Sequence, residues 1–140
     1  MADPLSIAGL VLSIGSVVQI LVNYCLDAKD ARKDIQSLTT ELFALKGVLE
    51  HIEYQQQAFS SDLTSPKPTK YASQEFSRML ESAKELLESL RKSLEPTQSH
   101  FGRSLQRMSW PLKKEDVQKQ ILRVERVKTW LIVVMTTDNL

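Results

Sequence analysis

Residues 35–52 read IQSLTTELFALKGVLEHI, and their apolar side chains recur at alternating steps of three and four positions. This spacing lines one narrow face of an α-helix with apolar side chains, which can then pack against partner helices. These positions form what we name the bundle seam: Ile35, Leu38, Leu42, Leu45, Leu49 and Ile52. Charged residues between Lys29 and Glu53 occupy the remaining faces. The stretch therefore predicts a helix of a bundle or a coiled coil.

The segment before the bundle seam predicts a helix that carries no charged side chain. Asp3 can act as its N-cap, and Pro4 suits the first helical position, because a backbone N–H would have no partner there. The uncharged residues 4–26 follow without a break. At 1.5 Å per residue they would reach about 34 Å, slightly more than the ~30 Å of bilayer hydrocarbon. The length of this helix permits a membrane span.

Two more long helices are predicted after the bundle seam. One starts near Ser73 as its N-cap and repeats apolar residues until Pro96 ends it. The other starts near Lys113 and ends in the apolar run 130–135. Residues 59–72 contain two prolines and several small polar residues, so they predict a flexible loop.

The composition favours one all-α domain over residues 1–140, expected to be the N-terminal part of a longer protein. Only 4 glycines and 6% aromatic residues argue against a sandwich or barrel, which needs many tight turns and β-branched runs. We expect an antiparallel helical bundle of four long helices plus one short connecting helix within residues 100–111. The flexible loop should let the second and third helices form an antiparallel hairpin. The bundle seam would then pack against Leu80, Ala83, Leu87 and Leu90.

The uncharged first helix admits more than one interpretation. A secretory signal is disfavoured, because Asp3 and Pro4 stand where positive residues should be. Its aliphatic side chains would favour the bilayer by about 4–7 kcal/mol, before the polar side chains subtract from that gain. A balance near zero suits neither a constitutive anchor nor an ordinary core helix. We expect a core helix at rest whose later release into a membrane is not excluded.

Basic residues concentrate in the last part of the chain. Residues 101–140 carry 8 Lys or Arg against 4 acids. They can form the solvated face of a helix, since acidic residues are interleaved with them, or they can bind anionic lipid. The lipid-binding candidates are Arg103, Arg107, Lys113 and Lys114. Nucleic acid is not an expected partner, because the pI is only about 7.8 and no aromatic residues alternate with the basic ones.

No motif in the sequence indicates catalysis. The chain has no Gly-rich phosphate loop, no Cys/His cluster with metal-ligand spacing and no nucleophile beside a base. His51 and His100 are far apart, and the single Cys25 permits no internal disulfide. We therefore expect no enzyme activity, no catalytic residue, no metal, no cofactor and no small-molecule substrate.

Three short stretches resemble the fungal HeLo-like domains that head many NOD-like receptors and related cell-death proteins. Residues 1–9 (MADPLSIAG), followed by the uncharged helix, look like the start of this family. Residues 30–35 (DARKDI) leading into the bundle seam are similar to its second helix. Residues 110–113 (WPLK) resemble the beginning of its last amphipathic helix.

This resemblance implies a bundle similar to the four-helix domain of the mixed lineage kinase domain-like pseudokinase. Members of the family execute cell death: oligomerisation activates them, and the N-terminal helix engages and permeabilises the membrane. The chain is then expected to rest in the cytoplasm, to self-associate on activation and to act at the plasma membrane on anionic lipids. The membrane-engaging residues would be Leu5, Ile7, Leu10, Val11, Leu12, Ile14, Val17, Val18, Ile20 and Leu21. The alternative is a non-lytic homotypic or adaptor module of a fungal NOD-like receptor, which never inserts.

Overall fold

The computed structural model describes residues 6–27, 31–60, 73–94 and 111–137, which form a bundle of four α-helices. The helices are α1 (Ile7–Asp27), α2 (Arg32–Ser60), α3 (Gln74–Leu94) and α4 (Lys114–Thr136). The described residues contain no β-strand, and the predicted all-α class is confirmed. The first two residues of the predicted loop, 59 and 60, belong to α2, which continues through Ser60. The remainder of that loop and nearly all of the predicted short connecting helix lie outside the described residues.

Serine side chains cap two of the helices. The Ser73 hydroxyl accepts a hydrogen bond from the Phe76 N–H at 3.1 Å, which confirms the predicted cap of α3. At the start of α1, the Ser6 hydroxyl accepts a hydrogen bond from the Gly9 N–H at 3.0 Å. The described α1 thus begins at Ile7 with Ser6 before it, three residues later than predicted, and the predicted cap Asp3 and first residue Pro4 lie outside the described residues.

The bundle seam lies at the centre of the core. All six of its side chains are at most 1% exposed, and they share one apolar cluster with residues of α1, α3 and α4. Burial of an aliphatic side chain contributes about 1.5–3 kcal/mol, so these positions account for a large part of the stability. No charged or polar side chain of the described residues is buried with them.

The helices are arranged so that α2 packs chiefly against α1 and α4, while α3 packs against the same two helices from the other side. Helices α2 and α3 are therefore diagonal neighbours, and the predicted α2–α3 hairpin is wrong. The short connection between Asp27 and Arg32 forces α1 and α2 side by side. The much longer connection between Ser60 and Gln74 allows the chain to cross to the opposite corner.

Three side-chain contacts join pairs of helices at particular positions along their axes. The Tyr24 hydroxyl donates a 2.6 Å hydrogen bond to the Leu94 carbonyl, so the C-terminal ends of α1 and α3 meet. The ring of Phe76, near the start of α3, stacks on Trp130 of α4 with centroids 6.4 Å apart. An ion pair of 3.0 Å links Glu41 of α2 to Lys128 of α4. These contacts fix which helix ends lie together.

Candidate functional site

Helix α1 carries two stripes of residues at alternating three- and four-residue steps, on opposite sides. One stripe faces the core and consists of buried residues: Ile7, Leu10, Ile14, Val17, Leu21 and Tyr24. The other, which we name the outer stripe, is exposed along its whole length: Ala8, Leu12, Gly15, Gln19, Val22 and Leu26. A surface helix usually exposes charged side chains opposite its apolar face. The outer stripe has none, which sets α1 apart from the other three helices.

Large apolar side chains of the outer stripe face solvent. Leu12 is 71% exposed and Leu26 is 72% exposed, and Val22 is exposed to 43%. Scattered exposed leucines are ordinary on protein surfaces. Here they recur along one helix face that is uncharged between residues 7 and 26, so the face offers an unbroken uncharged contact surface.

Helix α1 is also long and apolar enough to cross a bilayer between Ile7 and Leu26, judged by length and composition alone. The core helix of a soluble protein can meet the same criterion. The two stripes show why α1 resembles both a core helix and a membrane-spanning helix. One of its sides belongs to the core, and the other is an uncharged surface.

The predicted membrane-engaging residues divide between these two sides. Most of them are buried: Ile7, Leu10, Ile14, Val17, Val18 and Leu21. Val11 and Ile20 are half-buried, Leu12 is exposed, and Leu5 lies outside the described residues. The set as a whole can meet a bilayer only if α1 leaves the core. After such a movement, the bilayer would bury the α1 side chains, but the bundle seam that had packed against them would be exposed to water.

Of the predicted lipid-binding residues, Lys113 and Lys114 are exposed at the start of α4, whereas Arg103 and Arg107 lie outside the described residues. Four further exposed cations gather at the end of the bundle where Tyr24 meets Leu94. They are Arg32 and Lys33 in the first turn of α2, and Arg91 and Lys92 in the last turn of α3. The sequence analysis missed this group because its members are about 60 residues apart and only the tertiary structure places them at the same end of the bundle.

Helix stability does not explain the cations at the starts of α2 and α4. The N-terminus of a helix carries partial positive charge, so a nearby cation is unfavourable by about 0.3–1 kcal/mol. Arg32 and Lys33 open α2, and Lys113 is the N-cap of α4 without a side-chain capping bond. Asp34 in the first turn of α2 is the favourable charge at that helix end. These cations are therefore unfavourable for the helix ends that carry them, whereas Arg91 and Lys92 suit the C-terminal end of α3.

Exposed aromatic residues mark a second surface, on α2. Phe43 is 52% exposed and Tyr54 is 68% exposed, and 11 positions separate them, which returns an α-helix to nearly the same direction. The His51 ring lies 6.5 Å from that of Tyr54. Charged Glu50 lies on the same outer side, so this surface is mixed in character, unlike the outer stripe of α1.

Among the described residues, no group of three or more His, Cys, Asp or Glu side chains could hold a metal ion. Comparison of the chain with protein-family models, curated proteins and solved structures found no match. The fold and the surfaces described above define a class: a four-helix, all-α bundle whose first helix carries no charged side chain between Ile7 and Leu26. One end of this bundle, which we name the basic end, carries the exposed cations Arg32, Lys33, Arg91 and Lys92.

Proposed function

We propose that this chain is a membrane-targeting cell-death domain of the HeLo-like type, in which α1 engages and permeabilises the bilayer after oligomerisation. The observation that carries this proposal is the outer stripe of α1. A face that is exposed, uncharged and partly apolar over a bilayer-spanning length lowers the cost of meeting hydrocarbon. No charged side chain between residues 7 and 26 would have to be desolvated on insertion.

The same proposal includes an antiparallel arrangement of consecutive helices, with a short connecting helix between α3 and α4. The Tyr24 to Leu94 hydrogen bond and the Phe76 to Trp130 stack support this arrangement. If α4 runs opposite to α3, its N-terminus lies at the basic end of the bundle. Lys113 then joins the cations of α2 and α3 in a single group.

We expect membrane binding to begin at this basic end. Each cation that reaches an anionic leaflet contributes about 1 kcal/mol, so several together can hold the folded domain at the surface. Leu26 belongs to the last turn of α1 and is exposed at the same end, where it can enter the interfacial region. Release of α1 from the core is a separate, later step, because it uncovers the bundle seam.

Oligomerisation can offset the cost of that step. A partner domain that covers the uncovered bundle seam would restore apolar burial, which the bilayer alone does not supply. The domain would accordingly remain folded in the cytoplasm when monomeric and would act at the plasma membrane when assembled.

A non-lytic interaction module is the second candidate, and the exposed aromatic residues of α2 favour it. Phe43 and Tyr54 are of the residue types enriched at protein interfaces, and they do not lie on the uncharged helix. In that case, partners bind the outer face of α2 and α1 remains in the core.

Dye leakage from vesicles separates the two candidates. The chain, fused to a chemically inducible dimeriser, is added to vesicles of pure phosphatidylcholine or of phosphatidylcholine mixed with phosphatidylserine. The proposal requires dimeriser-dependent leakage from the anionic vesicles and little from the neutral ones. An assembled protein that neither binds nor leaks anionic vesicles would overturn the executioner function and leave the interaction module.

A further inference from the structure

We infer that the outer stripe of α1 is a self-association surface whose partner is the outer stripe of a second copy of this chain. This inference deepens the self-association in the proposed function, but its test contains no membrane. The first support is the spacing. Positions 8, 12, 15, 19, 22 and 26 alternate steps of four and three, which is the repeat that lets two helices pack along a continuous line.

Charge is the second support. In a two-fold contact between copies, residue i of one copy meets residue j of the other, so charges on a surface restrict the registers in which it can meet itself. The outer stripe is uncharged, whereas the outer sides of α2, α3 and α4 all carry exposed charges, among them Lys33, Glu85 and Arg126. The outer stripe of α1 can therefore meet its own copy in either direction and in any register without repulsion between like charges.

Shape supports the same partner. Gly15 lies near the middle of the outer stripe, and a Cβ atom built there would have no neighbouring atom within 4 Å. The gap leaves room for a side chain of the second copy, such as the protruding Leu12 or Val22. In the first half of the stripe, small Ala8 and Gly15 alternate with larger Leu12 and Gln19, which favours interdigitation between two helices there.

The size of the stripe indicates a weak contact. From Ala8 to Leu26 it is about 27 Å long, and a helix pair of that length buries roughly 500–600 Å² in total. A stable dimer usually needs at least 1,200 Å² or so. We therefore expect a monomer at low concentration, and association when a neighbouring domain raises the local concentration.

Gln19 gives a direct test, because it is exposed and lies near the midpoint of the stripe. A charge at this position comes within about one helical turn of its counterpart whether the two helices run parallel or antiparallel. Gln19→Glu and Gln19→Lys should each weaken self-association by about tenfold or more, since like charges then face each other. An equal mixture of the two variants should associate at least as well as the unmodified chain.

Sedimentation velocity over a wide range of concentration, at low salt and without lipid, measures the effect. Gln118→Glu and Gln118→Lys on the exposed side of α4 are the matched controls and should leave association unchanged. Circular dichroism checks that all four variants remain folded. The inference is overturned if the unmodified chain stays monomeric at every concentration, if each Gln19 variant associates normally, or if the mixture does not recover association. Vesicle binding that persists without self-association would assign the stripe to the bilayer instead.

Discussion

The Tyr24 hydroxyl donates a 2.6 Å hydrogen bond to the main-chain carbonyl of Leu94 and so ties the last turn of α1 to the last turn of α3. The helix that must move for membrane insertion is thereby joined to the rest of the bundle near the basic end. A carbonyl in the last turn of a helix lacks an intrahelical partner, so this bond also satisfies the end of α3.

Replacing Tyr24 with Phe should lower the free energy of unfolding by about 1 kcal/mol, because the hydrogen bond is lost while the ring stays packed. Tyr54→Phe is the matched control, since Tyr54 is exposed, and it should change stability very little. Urea denaturation followed by circular dichroism measures both variants. Equal stabilities for the two would contradict a structural role for the Tyr24 hydroxyl.

The same residue should make stability depend on alkaline pH. Burial raises the pKa of Tyr24 above its ordinary value of 10.0, because the ionised phenolate would be poorly solvated in the core. The folded-state pKa then exceeds the unfolded one, so the contribution is fully present below pH 10 and is lost as the pH rises through the folded-state value. Tyr24→Phe should reduce the loss of stability measured in this alkaline range, and an unchanged pH profile would argue against the effect.

Leu45→Ala should cost about 2–5 kcal/mol, because Leu45 is fully buried in the bundle seam and its truncation leaves a cavity. Phe43→Ala, two positions away on the outer side of α2, removes a larger side chain and should cost only about 0.5 kcal/mol. Thermal unfolding of the two variants compares them directly. A melting temperature that falls more for Phe43→Ala would show that the core has been assigned to the wrong face.

Leu12→Asp, measured on the chain held together by the chemically inducible dimeriser, tests membrane insertion with little risk to the fold, since Leu12 is 71% exposed at rest. A charge at the bilayer centre costs about 2.5–3.5 kcal/mol, which should lower the inserted population by roughly a hundredfold or more. Leakage from anionic vesicles should collapse while the circular dichroism spectrum stays the same. Leu122→Asp, at an exposed leucine of α4, is the control and should retain leakage.

The double variant Lys113→Gln/Lys114→Gln should weaken binding to anionic vesicles by about thirtyfold, at ~1 kcal/mol for each lost cation. Arg78→Gln/Arg126→Gln removes the same net charge from exposed positions distant from the end of α3 and from the start of α4. This control should weaken vesicle binding much less. Vesicle co-sedimentation at low and at moderate salt measures both. Equal losses for the two double variants would indicate a general charge effect with no contribution from the basic end.

The sequence by itself determined the four helices, the Ser73 cap and the inward face of α2. Each of these depends on side chains within a few turns of one another, and a spacing of three and four residues specifies a helix face without reference to the rest of the chain. Lys113 and Lys114 could be named from the local concentration of basic residues, whereas their exposure is read from the structure.

Only the tertiary structure decided which faces and helix ends meet. The bundle seam is compatible with any apolar partner, so its pattern could not reveal that α2 lies beside α1 and α4 and diagonal to α3. Between Ile7 and Leu26, α1 carries no charged side chain, and without a charged face its pattern could not show that Leu12 and Leu26 point outward. The placement of Arg32 and Arg91 at the same end of the bundle likewise depends on how the connections between the helices direct the chain. Local spacing specifies faces, whereas the packing of four helices around one core specifies their neighbours.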